Sequence, residues 1–149
     1  MRTLAARAVL ALTLALIATA EPVSAHEFKQ GGLVIIHPHT VEPADETAKS
    51  AAVFMTIRNA TDRTDRLVAV AQPLSARAML VRTSPDRRET TPVNAIELAP
   101  RSQTTLGPNS VHIVLEDLKV PLYGYASFSL TLTFELAGTI EVDVLVEEK

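Results

Sequence analysis

The sequence predicts an all-β protein, built as an antiparallel β-sandwich. Three observations support this fold class. Apolar residues occur in short runs, several of which alternate with polar residues at a period of two. The segments between the runs are rich in Asn, Asp, Pro, Gly and Ser, the residues that form turns. No segment has a convincing helical period, and short strands separated by turns are typical of sandwiches.

Nine segments have the composition of strands, and the last two alternate most clearly. In the eighth, Phe128 and Leu130 alternate with Ser129 and Thr131. Such a strand has one face on a core and one in water. The predicted strands are residues 33–37, 51–58, 66–70, 78–83, 95–98, 103–106, 110–115, 128–135 and 139–147.

Two intervening segments allow a second interpretation. Residues 43–52, PADETAKSAA, contain a possible helix start, but we expect a loop that leads into the second strand. The triplet Asn59-Ala60-Thr61 fits a glycosylation sequon. We interpret it as a turn, because this triplet often arises by chance.

The N-terminus has the layout of a cleavable secretory signal peptide. Arg2 and Arg7 precede a run of apolar and small residues that is too short for a comfortable membrane span. Small residues then lead to a cleavage site after Ala25, with Ala20 as the alternative site. We therefore predict a signal peptide at residues 1–25, one domain at residues 26–149, a periplasmic location and no membrane span after cleavage.

Composition restricts the function classes. The formal net charge of the chain is −3. Removal of residues 1–25 takes away two basic residues and one acidic residue, so the mature charge is −4. An acidic chain argues against nucleic acid as a partner. The sequence contains no cysteine, which excludes thiolate ligands and disulfides. We find no nucleophile elbow and no phosphate-binding loop, and expect no enzymatic activity.

Histidines are the main candidate metal ligands. His37 and His39 form an HPH motif, and residues two apart in a strand share a face. Imidazole suits copper, zinc and nickel. His26 would become the first residue after cleavage, so that its amine and Nδ1 could chelate Cu(II). The alternatives are a solvated strand end for the HPH pair and a disordered terminus for His26.

His112 and Met79 form a second candidate group. Strand alternation places His112 on the face opposite Val111 and Ile113, so we expect it to lie outside the core. The same argument places Met79 on a face with Val81, where a thioether can project outward. An ordinary surface residue is the alternative interpretation of Met79.

Four segments together resemble the periplasmic copper chaperones of the PCu(A)C type. In order, GGLVIIHPH is similar to the family's opening strand and AAVFMTIRNATDRTDRLVAV to its second and third strands. The segment IELAPRSQTTLGPNSVHIVLEDLKVPL resembles the approach to the ligand strand, and FSLTLTFELAGTIEVDVLV resembles the closing hairpin. The resemblance implies a cupredoxin-like or immunoglobulin-like sandwich, copper as the bound ion, and delivery towards the Cu(A) centre of cytochrome oxidase.

The copper ligands that the resemblance implies are mostly replaced. The family binds Cu(I) with two His-x-Met pairs and a further methionine. Val81 and Thr83 stand at the first pair, and Thr90 lies near the further methionine. His112 matches the closing histidine, and Val114 stands in place of its methionine.

Two functions therefore remain open. In the first, the protein binds copper at a rebuilt site, either His112 with Met79 or the group His26, His37 and His39, and exchanges it with an envelope protein that donates or receives copper. In the second, the domain has lost the metal and serves as an interaction or scaffold module. We favour the first.

Overall fold

The computed structural model describes residues 26–149, which contain eleven strands and no helix. The predicted signal peptide lies outside the described residues. The strands are β1 (Glu27–Gln30), β2 (Leu33–Val41), β3 (Ser50–Asn59), β4 (Asp65–Ala71), β5 (Ser75–Thr83), β6 (Thr90–Pro92), β7 (Ile96–Leu98), β8 (Ser102–Leu106), β9 (Val111–Leu118), β10 (Ser127–Phe134) and β11 (Gly138–Glu147).

The strands form a curled sheet whose two parts share β3. The hydrogen-bonded order is β6-β5-β9-β3-β2-β11-β10-β4-β7, with β1 beside β2 and β8 beside β3. The first half of β3 pairs with β9, and its second half pairs with β8. The prediction of an all-β fold is confirmed. One pair departs from an antiparallel arrangement, because β11 runs parallel to β2.

The alternating apolar residues of β10 and β11 face the core, which lies between the two parts of the sheet. Phe128, Leu130, Leu132 and Phe134 of β10 are all buried, as are Val142 and Val144 of β11. They pack in one cluster with residues of the other strands, among them Ile35, Ile57 and Ile113. Burial of this continuous apolar cluster is the main force that stabilises the domain.

Two strands were missed by the sequence analysis. Strand β1 has the sequence EFKQ, which lacks an alternating apolar pattern, and β6 is only three residues long. Strand β1 forms because Gly31 and Gly32 both adopt positive φ, at 54° and 80°. A two-residue turn of this kind favours a tight antiparallel hairpin, here with β2.

The segment 43–52 and the sequon behave as predicted. Residues 42–49 form a loop, and the strand begins at Ser50. Asn59 is 1% exposed, and its side chain is bonded inside a turn. The side-chain amide donates to the carbonyls of Arg63 and Leu98 at 2.8 and 3.0 Å. The turn interpretation of Asn59 is confirmed.

Candidate metal centre

Strand β2 contains a bulge at the HPH motif. Ile36 pairs with Thr56 of β3, but the register has shifted by one residue when His39 pairs with Phe54. Pro38 lies in the shifted segment and has no backbone N–H for the ladder. His37 adopts a φ of 51°, which is uncommon for a residue with a side chain. Bulges of this kind redirect side chains and are frequent beside functional sites.

The bulge brings the two imidazoles of the motif together. The ring centroids of His37 and His39 lie 4.6 Å apart, with 28° between the ring planes. The Nδ1 of His39 lies 2.9 Å from the carbonyl oxygen of His37, so this nitrogen carries the proton and donates it. The Nε2 of His39 is then left with its lone pair for a metal. The prediction that the two histidines share a face is confirmed.

Glu147 completes this group from the other end of the chain. It is the last residue of β11, where β11 pairs in parallel with the end of β2. Its Oε1 lies 2.8 Å from the Nε2 of His37. Its backbone carbonyl accepts a hydrogen bond of 2.7 Å from the N–H of Glu42, which fixes the strand end. The sequence analysis missed Glu147, because no local motif marks a contact between the two ends of a domain.

We call His37, His39 and Glu147 the His–Glu cluster. One donor atom from each residue lies within 4.8 Å of the other two. Metal–nitrogen and metal–oxygen bonds are about 2.0–2.2 Å long, so two donors of one ion lie at most about 4.4 Å apart. Binding of one ion by all three residues therefore requires the side chains to move closer together around it. The side chains of His37 and Glu147 are 41% and 40% exposed, which leaves the cluster open to solvent.

His26 lies next to the cluster. Its backbone carbonyl accepts a hydrogen bond of 3.1 Å from the N–H of His37. The β1–β2 register pairs Glu27 with Ile36, and its continuation by one residue places His26 opposite His37. Residues at opposite positions of an antiparallel pair share a face. The structure thus places the backbone of His26 beside that of His37, and the group of His26, His37 and His39 as metal ligands stays a prediction.

His112 lies outside the hydrophobic core cluster, as expected, but the face on which it lies is covered at this position. His112 is only 6% exposed, although it lies on the face opposite Val111 and Ile113 as predicted. Alternation identifies the face of a strand but not whether that face is covered. Here Val81 lies directly opposite His112 on β5, and the ring of Phe54 on β3 lies 5.7 Å from the imidazole.

Met79 is a diagonal neighbour of His112 rather than its direct partner. It pairs with Val114, and His112 pairs with Val81. Diagonal neighbours on one face are about 7–8 Å apart, within reach of a long side chain. Met79 is half-buried and lines a cavity of about 320 Å³ with residues of β4 and β6. The Met79–His112 pair therefore stays a prediction.

The family-model comparison matches most of the described residues. The LpqE-like lipoprotein family model matches residues 33–146, which include β2 to β10 and all of β11 except Glu147. A search of curated proteins found no relative of the chain. No helix long and apolar enough to cross a membrane occurs in residues 26–149.

Solved structures also match most of the chain. The apo PCuAC domain from PmoF1 has 31% identity and a TM-score of 0.72, covering 83% of this chain and 100% of that domain. The copper-bound PCuAC domain from PmoF2 has 29% identity and a TM-score of 0.71, covering 83% of this chain and 99% of that domain. The Cu(I) form of DR1885 from Deinococcus radiodurans has 24% identity and a TM-score of 0.59, covering 86% and 85%, and supports the fold alone.

Proposed function

This chain belongs to the LpqE-like family of PCu(A)C domains, and we propose that it is an exported copper-binding protein that holds the ion at the His–Glu cluster. The observation that carries the proposal is the convergence of two imidazoles and one carboxylate, with donor atoms within 4.8 Å. Families of copper chaperone domains are not enzyme families, and the role we propose is likewise binding and delivery.

The donor chemistry favours Cu(II) over Cu(I) at this cluster. Imidazole and carboxylate suit Cu(II), whereas Cu(I) prefers thiolate and thioether sulfur. The sequence has no cysteine. Of the methionines in residues 26–149, Met55 is 2% exposed in the core and Met79 lies on β5, away from β2 and β11. A chaperone with this ligand set therefore carries the ion in its oxidised form.

Cleavage of the signal peptide would add two more donors. Hydrolysis of the bond between Ala25 and His26 frees the α-amine of His26, which chelates a metal together with the Nδ1 of the same residue. The hydrogen bond between the His26 carbonyl and the His37 N–H supports this role, because it holds the new terminus at the cluster. In this arrangement export and site formation are linked, because the amine donor exists only after cleavage.

The openness of the cluster supports delivery rather than permanent storage. The side chains of His37 and Glu147 keep about two fifths of their full exposure, at 41% and 40%. A copper ion held there can be reached by the ligands of another protein. The partner that we infer is an envelope protein that donates or receives copper in the periplasm.

The test is a copper titration of residues 26–149 with a native N-terminus. Cu(II) and Cu(I) are titrated separately against a competing chelator. We expect Cu(II) to bind more tightly than micromolar, and His37→Ala/His39→Ala to abolish this binding. His112→Ala tests the alternative position, because it removes the imidazole that stands at the family's closing histidine. A chain that starts at Glu21 lacks the His26 amine and is expected to bind Cu(II) more weakly.

Two outcomes would contradict the proposal. Absence of binding tighter than micromolar for both ions would exclude a copper function. Loss of binding with His112→Ala alone would move the site to the position of the family's closing histidine, with Met79 as its partner.

A second function is supported by the face around His112. The resemblance places Val81 and Val114 where the family has copper ligands, and Val81 is 2% exposed in the structure. Apolar side chains at these positions stabilise the sheet and do not bind copper. If both titrations fail, the domain is an interaction module without metal.

A further inference from the structure

Four aromatic rings form a continuous row across strands β2, β3 and β9. The row begins with the stacked pair His37 and His39. The ring of Phe54 lies 5.8 Å from that of His39, with 55° between the planes. His112 follows at 5.7 Å from Phe54, with 53° between the planes. We call His37, His39, Phe54 and His112 the ring row.

The register of the sheet explains the row. His39 pairs with Phe54 across β2 and β3. The β3–β9 register pairs Val53 with Ile113, and its continuation by one residue places Phe54 opposite His112. Directly opposite residues have Cβ atoms about 4.5–5.5 Å apart on one face. The contacts therefore follow from the pairing of the strands, including the bulge that shifts His39 into register with Phe54.

Three contacts determine the orientation of the His39 ring. The carbonyl of His37 accepts from Nδ1, the imidazole of His37 stacks on one face, and Phe54 meets the ring at a tilted angle. The first two come from the same short segment of β2, which moves as a unit. Phe54 is the contact from the neighbouring strand, so it relates the imidazole to the rest of the sheet.

We propose that Phe54 is the positioning residue of the metal site and links it to His112. Phe54 holds the His39 ring in its orientation beside the other residues of the His–Glu cluster. When a metal draws the imidazole towards His37 and Glu147, the Phe54 ring follows and changes the surroundings of His112. The inference rests on the proposed copper function, because it concerns the same ligands.

Phe54 is suited to such a role because both sides of its ring contact candidate ligands. Tilted aromatic pairs attract each other beyond the effect of burial alone. Residues that orient a metal ligand without touching the ion commonly change affinity by about 10–100-fold when mutated. Phe54 is half-buried, so the ring can respond to its neighbours without opening the core.

The first experiment compares Phe54→Leu and Phe54→Tyr in residues 26–149. Leu keeps apolar volume but removes the ring, and Tyr keeps the ring. We expect Phe54→Leu to weaken Cu(II) binding about 10-fold and to change the copper hyperfine splitting in the EPR spectrum. Phe54→Tyr is expected to retain both the affinity and the spectrum. Val114→Ala is the control, because Val114 lies on the same face but outside the ring row.

The second experiment uses Zn(II) as a diamagnetic probe. We expect Zn(II) to shift the NMR resonances of the His112 ring in the wild-type domain, and the shift to disappear in Phe54→Leu. Thermal unfolding of each metal-free variant separates a loss of fold from a loss of positioning. If Phe54→Leu does not fold, the test depends on the other two variants. The proposal is then supported if Phe54→Tyr keeps the copper affinity, the EPR spectrum and the His112 shift, and if Val114→Ala changes none of them.

The outcomes separate the two proposals. If the wild-type domain binds neither Cu(II) nor Zn(II), the proposed function is wrong and the positioning role falls with it. If the wild type binds and Phe54→Leu has the same affinity and EPR spectrum, the positioning role alone is wrong. A His112 shift that persists in Phe54→Leu overturns the link to His112. A change in Phe54→Tyr as large as that in Phe54→Leu, or an equal loss in Val114→Ala, also overturns the positioning role.

Discussion

Replacement of Asn59 by Ala should destabilise the domain without changing its metal site. The side-chain amide of Asn59 donates to the carbonyls of Arg63 and Leu98. Its Oδ1 accepts from the backbone N–H and the hydroxyl of Thr61, at 3.0 and 2.7 Å. Four hydrogen bonds at about 0.5–1.5 kcal/mol each give an expected loss of about 2–6 kcal/mol in the free energy of unfolding.

The loss is measurable as a fall in the melting temperature of residues 26–149 in the presence of a chelator. For a domain of this size we expect a fall of about 10 °C. Thr56→Ala is the control, because its only side-chain hydrogen bond within residues 26–149 is a 3.4 Å approach to the hydroxyl of Thr105. We expect that control to change the free energy by less than about 0.5 kcal/mol.

The same variant tests whether fold and site are separable. Asn59 lies five residues from Phe54 on β3, a distance of about 17 Å along an extended strand. The copper affinity of folded Asn59→Ala should therefore equal that of the wild type. A loss below about 1 kcal/mol in the free energy of unfolding would refute the stabilising role of the four Asn59 hydrogen bonds. A lower copper affinity of the folded variant would refute the independence of the metal site from this turn.

Three further predictions concern carboxylates. Glu147→Gln should weaken Cu(II) binding more than Cu(I) binding, since Cu(I) gains little from carboxylate oxygen; equal losses in paired titrations would contradict this. Asp65→Ala should lower the free energy of unfolding by about 2–4 kcal/mol in urea denaturation, because its carboxylate accepts from three backbone N–H groups; a loss below about 1 kcal/mol would argue otherwise. The hydrogen bond from Arg66 lowers the pKa of Glu135 in the folded domain. The ion pair therefore stabilises the domain above the unfolded-state pKa of Glu135, and this stabilisation is lost as the pH falls through the folded-state pKa. Arg66→Ala should raise the pKa of Glu135 in an NMR titration, and an unchanged pKa would disprove the role of Arg66.

Much of the fold could be predicted from local sequence patterns. Alternation in β10 and β11 predicted the buried faces, because the period of a strand is a property of the chain itself. Strand β1 could not be predicted in this way, since it depends on a glycine turn and on the free edge of β2. The parallel pairing of β11 with β2 was also missed, because alternation contains no information on the direction of a neighbour.

The candidate site was predicted in part. The HPH motif indicated two histidines on one face, and Pro38 in a strand was an available signal for the bulge that joins them. No sequence signal indicated Glu147, which reaches His37 only through the pairing of the first long strand with the last.

By itself the sequence determined the fold class, the strand positions and the residue types that can bind a metal, because these depend on local periodicity and side-chain chemistry. The tertiary structure decided which of those residues meet. It brought His37 and His39 beside Glu147, bonded the His26 carbonyl to the His37 N–H, and buried His112 beside Val81 and Phe54. Such contacts depend on strand order and register, which join residues far apart in the chain and leave no pattern in the sequence around either one.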